Sequence, residues 1–382
     1  MIKILKLINR EQKITLFFIL ILMIIIAILE VVSIGSIFPL LNNIFSTDFD
    51  SNNYFNSITN FLKISFEGNF MYVLLAVIFS AFLLKNIFIF LYTKFASAFM
   101  MHLSVDIQRK TFQKYLYENY EKLRYVDSNK ILRDINIEAR LVVGQFVSPI
   151  LTLYLNSVII AFITILLLIY NYKIILFIIF LLFVLFVVFK FVFSKKLFKL
   201  GEDRQSFQKE ILKSIKQTFD GFRELSTYNF LELFLKTFIK KSIRLANNLV
   251  RRTVITITPK LVLETLVILS IVTTIAIMYS KGFKMKNIFL TISIYTIVGL
   301  RLFPVFFGIV NAYQNLNYAL PALNRIYELL GSQSFKKNED QTNLKFNDKI
   351  SLENISYDYD NKKILTNFSI IIPKNFFLGV TG

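Results

Sequence analysis

Five ionisable side chains stand inside long apolar stretches of this sequence: Glu30, Lys85, Lys260, Glu264 and Arg301. A charge in hydrocarbon costs at least roughly 2.5–3.5 kcal/mol on insertion scales, so each of these residues is a functional candidate. Counting inward from the outer ends of their stretches at about 1.5 Å per residue puts Glu30, Lys85, Glu264 and Arg301 at a shared depth of roughly 18–24 Å, with Lys260 lower. Two chemistries fit such a layer. Acids and bases can neutralise one another and lock the helices that carry them. Alternatively the cations can line a cavity that attracts an anionic head group, and Lys260, left over as a positive charge, favours that second use. Arginine is the better bidentate ligand for phosphate, and two of the three cations are lysines.

A second segment with chemical potential is Ile372-Pro-Lys-Asn-Phe-Phe-Leu-Gly-Val-Thr-Gly382. It reads as a turn and an apolar strand that lead to a glycine, the beginning of a P-loop. A complete P-loop, Gly-x-x-x-x-Gly-Lys-[Ser/Thr], cradles phosphates with backbone N–H groups, reaches them with the lysine and holds magnesium with the hydroxyl. Only Gly382, the first glycine, lies within the sequence, and Gly379 would leave the strand too short. Asn375 stands at the turn, where it tolerates a left-handed conformation. The chain as written therefore is not expected to bind a nucleotide tightly.

The elements that must position these residues follow from composition. Hydrophobic residues make up 55% of the chain and include 42 Phe, and mean hydropathy is +0.57. The apolar runs exceed what a soluble core uses, which implies an integral membrane protein. Spans of about 20 residues, enough for about 30 Å of hydrocarbon, fall near 14–41, 70–92, 146–170, 174–193, 254–279 and 288–310. There is no cysteine and a single histidine, His102, which excludes disulfides, thiolate metal sites and most histidine chemistry. Lys3, Lys6, Arg10 and Lys13 precede the first span, and no small-residue cleavage site follows it, so it is expected to be retained with a cytoplasmic N-terminus.

The net charge of +19 is a matter of topology rather than of nucleic acid, which is not an expected partner. Eight Lys or Arg fall in 103–140 and fifteen in 190–252, whereas the alternate loops are short or poor in basic residues. Both basic loops carry apolar residues at helical spacing, such as Phe112, Tyr115 and Leu116, and few turn signals, so they read as helices continuing out of the membrane. Residues 331–345 form a polar linker. Beyond it, Lys349–Tyr359 and Lys363–Ile372 alternate apolar and polar around Asp360-Asn361, a β-hairpin pattern. The expected class is an all-α membrane domain over 1–330 followed by a β-rich piece over 346–382.

In this order the parts resemble an ABC exporter half-transporter, whose membrane domain is fused to an ATPase domain. Tyr117 to Leu123, with Asn119, Tyr120 and Glu121, resembles the first coupling-helix region, and Gly221-Phe222-Arg223 with the residues to Tyr228 resembles the second. Pro321–Leu330 resembles the connection to the ATPase domain. Ile355-Ser-Tyr-Asp-Tyr359 resembles that domain's first strand, whose final aromatic stacks on adenine, although a tyrosine on a strand is ordinary by itself. Less generic matches, Pro259-Lys260-x-x-x-Glu264 and Arg301-Leu-Phe-Pro304 among them, resemble the flippases of lipid-linked oligosaccharides. That resemblance implies alternating access by a homodimer or a pair of related half-transporters in a bacterial inner membrane, driven by ATP and magnesium bound to a complete ATPase domain. It implies a substrate of lipid-linked or other phosphate-bearing type, drawn to Lys85, Lys260 and Arg301. The acidic Walker strand, the signature loop and the switch histidine of that family are absent here, so the chain is expected not to hydrolyse ATP alone. An exporter of peptide or drug-like cargo, and an inactive truncated product, are the alternatives.

Overall fold

The computed structural model describes residues 9–36, 70–118, 120–124, 126–283, 285–331, 346–359 and 362–380. The chain divides into two compact units, Met1–Gln333 and Ser334–Gly382.

The larger unit is helical. Helix α1 spans Arg10–Gly35, α2 Phe70–Leu116, α3 Tyr120–Arg124 and α4 Ser128–Arg133. Asp127 starts α4, its carboxylate accepting from the backbone N–H of Asn129 at 3.0 Å, which satisfies one of the orphan donors of a first turn. Two π-helical turns follow, Asp134–Glu138 and Val143–Val147, separated by α5 (Ala139–Val142). Then come α6 (Ser148–Asp220), α7 (Phe222–Thr227), α8 (Leu231–Ser280) and α9 (Met285–Gly331). Among the described residues, four stretches are long and apolar enough to cross a membrane: Arg10–Ser33, Leu75–Leu116, Ser128–Ile165 and Leu231–Ser280.

Helix α2, at 47 residues, and α8, at 50, are more than twice the length of a minimal span of about 20 residues. Much of the chain that reads as basic loop is thus built as a continuation of the spanning helices. The element α6 corresponds to two expected spans, 146–170 and 174–193, and the structure carries them as one helical element. Its limbs nevertheless run side by side. Arg204 meets Glu138 across 66 residues, which a straight helix would hold roughly 100 Å apart. Asn156 and Phe186 likewise both reach α9, at Gly308 and Tyr313.

The main core forms where α1, α2, the π-turn region and the end of α9 meet, with Met23, Leu103, Val142 and Ile326 fully buried. Alanines at 96, 139, 319 and 322 bring these backbones close, as small residues do in membrane helix packing. Gly201 serves the same purpose on α6. A Cβ there would collide with the carbonyl oxygen of Tyr318 and lie 3.2 Å from Pro321 Cγ. Gly201→Ala is therefore expected to destabilise the bundle by about 1–3 kcal/mol, measured as a lower midpoint in thermal unfolding of the detergent-solubilised protein; an unchanged midpoint would refute the close approach.

The smaller unit is an antiparallel hairpin of β1 (Lys349–Tyr359) and β2 (Lys362–Pro373), within a residue of the strands read from the alternation. Its register shifts near Asn354 and Asn367, which take φ of 50° and 47°, a conformation asparagine tolerates. Ser369 Oγ and Ser356 Oγ accept from their backbone N–H groups at 2.8 and 3.0 Å, replacing ladder bonds lost at the irregularities. Asn375 has φ 64°, as expected of its place in the turn.

Candidate functional site

Glu30 on α1, Lys85 on α2 and Arg301 on α9 converge. Glu30 Oε2 lies 3.2 Å from Lys85 Nζ and Glu30 Oε1 3.0 Å from Arg301 Nη1. Among the described residues one carboxylate thus stands between two cations and leaves one positive charge in excess. The Phe82 ring, one turn before Lys85 on the same face of α2, receives both: Lys85 Nζ is 4.6 Å and Arg301 Cζ 5.1 Å from its centroid. A ring face attracts cations and adds an estimated 0.5–2 kcal/mol per contact. Ser33 donates to the Glu30 carbonyl at 2.8 Å, tying the carboxylate's own turn.

Accessibility separates the three groups. Glu30 and Lys85 are 7% and 4% exposed, whereas the Arg301 side chain is 32% exposed. The excess charge is therefore presented by Arg301. Beside it, Phe79, Phe82, Leu83, Asn86, Ile87 and Phe90 line an open, mainly apolar groove of about 480 Å³ along α2. A charged head and an apolar body would find complementary surfaces meeting at Phe82.

The fourth member of the expected layer, Glu264, does not join, and neither does Lys260, expected lower. Glu264 and Lys260 are exposed on α8, and neither makes an ion pair among the described residues. The pairing expected of two acids with two bases is replaced by a triad with a single acid.

The expected coupling residues occupy breaks between long helices. Tyr120 and Glu121 open α3, with Tyr120 exposed, and Asn119 lies outside the described residues. Gly221 ends α6, while Phe222 and Arg223 begin α7, a helix with no buried residue. Tyr359 is the last residue of β1, opposite Lys362, and Gly382 lies outside the described residues.

A buried ionic network escaped the sequence reading. Asp134 Oδ2 accepts from Tyr115 Oη at 2.7 Å and from Arg325 Nε and Nη2 at 2.9 and 2.7 Å. Glu138 Oε2 accepts from Arg204 Nη2 at 2.9 Å and Gln205 Nε2 at 3.0 Å. Both carboxylates are fully buried, and they tie α2, the first π-turn, the second limb of α6 and α9 together. Burial, and then the hydrogen bond to the Asp134 carboxylate, push the Tyr115 hydroxyl well above its ordinary range. Burial opposes the charge on Arg325, but the Asp134 carboxylate outweighs it and raises the guanidinium further. The one local signal was the run Arg133-Asp134 with Glu138 four residues on, which places two acids on one helical face.

No protein-family model matches the chain.

Proposed function

We propose that this chain is the membrane subunit of an ATP-driven exporter that moves a phosphate-bearing amphipathic lipid, of the lipid-linked oligosaccharide kind, across a bacterial inner membrane. The observation that carries this reading is the Glu30–Lys85–Arg301 triad. It holds one uncompensated positive charge in the apolar bundle and offers it through Arg301 beside a groove suited to a lipid chain. A drug-like or peptide cargo gives no reason for that excess charge.

Several features support the wider reading of six spans. The α6 limbs counted separately, with α1, α2, α8 and α9, give that number. The long helices run past membrane thickness to the short exposed helices α3 and α7, where a moving ATPase domain could push on the bundle. The hairpin suits the start of such a domain, with Tyr359 near adenine, Gly382 entering the phosphate loop, and ATP and magnesium held by a complete domain. In alternating access the lipid's phosphate would leave the hydration of one surface, meet Arg301 midway and be released on the other side. The triad lowers the desolvation cost of that crossing because the compensating charge is already in place.

The test is binding of a polyprenyl pyrophosphate to the 382-residue chain in detergent, with the uncharged polyprenol as comparison. The pyrophosphate should bind at least about tenfold more tightly, and Arg301→Ala should remove that preference, as expected for a charge-assisted contact. Equal binding of the two lipids, or an unchanged preference in Arg301→Ala, would reject the head-group role. Paired with a complete ATPase domain in vesicles, the protein should flip the same lipid only when ATP is supplied.

A further inference from the structure

A second polar site lies away from the triad, between the first limb of α6, the second π-turn, α8 and α9. Gln145, Ser148, Arg252, Asn311 and Asn315 line a pocket of about 260 Å³ there, with Gly144 leaving its wall bare. These residues share a position in the sequence: each lies at or just beyond the basic-side end of an apolar span, at 146–170, 254–279 or 288–310. On that reading of the spans, the pocket lies at the level where lipid phosphates meet water.

Its hydrogen bonds can be followed one by one. Arg252 Nη2 donates to Gln145 Oε1 and, at 2.8 Å, to Asn315 Oδ1. A guanidinium only donates, so both amides must turn their oxygens to it and their NH₂ groups elsewhere. Asn315 Nδ2 donates to Asn311 Oδ1 at 2.6 Å, which fixes Asn311 in turn and leaves its NH₂ over. Each amide oxygen in the group thereby already accepts a hydrogen bond from within it. The groups left without a use there are mainly donors: the amide hydrogens of Gln145 and Asn311, the rest of the guanidinium and the Ser148 hydroxyl, which can also donate. Among the described residues no carboxylate pairs with Arg252. The guanidinium is held in place by the face of Tyr318, 4.1 Å from the ring centroid, and the Tyr318 hydroxyl acts on it as well; a neutral phenol leaves the positive charge uncompensated.

A concave set of surplus donors around an uncompensated cation is complementary to an oxyanion with several acceptor oxygens. We infer that this pocket binds a phosphate group at the membrane surface, presented either by a lipid head group or by a free phosphate. The π-turn contributes directly, because Gln145 and the open wall at Gly144 both belong to Val143–Val147, and such turns recur at functional sites. Neither Glu30, Lys85 nor Arg301 takes part, so the inference stands or falls apart from the transport reading.

The experiment uses the 382-residue chain carrying Arg301→Ala, so that the triad does not contribute, in a sugar detergent, which carries no phosphate. Calorimetric titrations are made with inorganic pyrophosphate, with dihexanoyl phosphatidic acid and with dihexanoylglycerol. Binding of at least one of the phosphate probes, with none of dihexanoylglycerol, is expected. Phosphatidic acid alone identifies a lipid head group, and pyrophosphate binding identifies phosphate as sufficient. Arg252→Gln should weaken binding by about tenfold or more, the scale of a charged hydrogen bond. Arg251→Gln, which removes an exposed charge next to it, should change it by less than about twofold, as surface charges do. Gly144→Leu provides an independent variant, since a side chain there meets nothing within 4 Å; it fills the pocket while leaving the guanidinium and its partners in place, and should also abolish binding. Absence of binding by both phosphate probes, or binding that survives Arg252→Gln or Gly144→Leu, overturns the proposal.

Discussion

Asp134→Ala is expected to lower the stability of the helical unit by on the order of 3–5 kcal/mol, the cost of removing one partner from a buried ion pair. The carboxylate accepts three hydrogen bonds from Tyr115 and Arg325, and alanine leaves the guanidinium with the Tyr115 hydroxyl alone, at 3.2 Å, and the phenol's own proton facing a void. The loss should appear as a large drop in the midpoint for thermal loss of helical circular dichroism. A control separates charge from shape: Asp134→Leu combined with Arg325→Met removes both charges and should recover most of the loss, because a well-packed apolar pair often matches or exceeds a buried ion pair. A change below about 1 kcal/mol in Asp134→Ala would mean the network is as weak as a surface pair and does not hold the helices together.

Glu30→Ala should cost a similar amount, about 3–5 kcal/mol, for a different reason. It leaves Lys85 and Arg301 as two like charges in an apolar bundle, with only the Phe82 ring to face. The two uses of the triad separate in this variant. If Glu30 serves only to lock α1, α2 and α9, no anion added from outside should restore stability. If the cations receive a head group, a polyprenyl pyrophosphate should raise the depressed midpoint by several degrees more in Glu30→Ala than in the unaltered chain, since the ligand replaces the missing negative charge. No difference between the two proteins would leave the triad a lock and remove the main support for a lipid substrate.

The meeting of three charges was legible from sequence, and rotation about the helix axis was not. Counting residues grouped Glu30, Lys85, Arg301 and Glu264 in one layer, and the first three do meet. Glu264 lies on an exposed face of α8, because α8 is apolar on most sides and its periodicity does not say which side turns inward. Lys260 shares that face one turn earlier. The hairpin was read almost to the residue, since its strands are neighbours in sequence and their alternation is a local signal. The network around Asp134 and Glu138 was not, since Arg325 comes from 191 residues away and no local pattern records that meeting. Gln145, Asn311 and Asn315 escaped for a further reason: in isolation each is an ordinary polar residue at the end of a span, and only their convergence on Arg252 makes them a site.

The paired π-turns at Asp134–Glu138 and Val143–Val147 bear on how this protein can vary. Each inserts an extra residue into the helical winding, and one residue corresponds to about 100° of rotation. Because the wide turn absorbs that extra residue, losing one amino acid from either turn would restore ordinary winding and leave the helix beyond it close to its present heading, while the side chains of the turn itself would swing, so that Gln145 would leave Arg252 or Glu138 would leave Arg204. A single-residue deletion between 134 and 147 should therefore cost these contacts while sparing the packing of the limbs beyond. The two turns are the places where the chain can lose one residue without re-aiming the bundle.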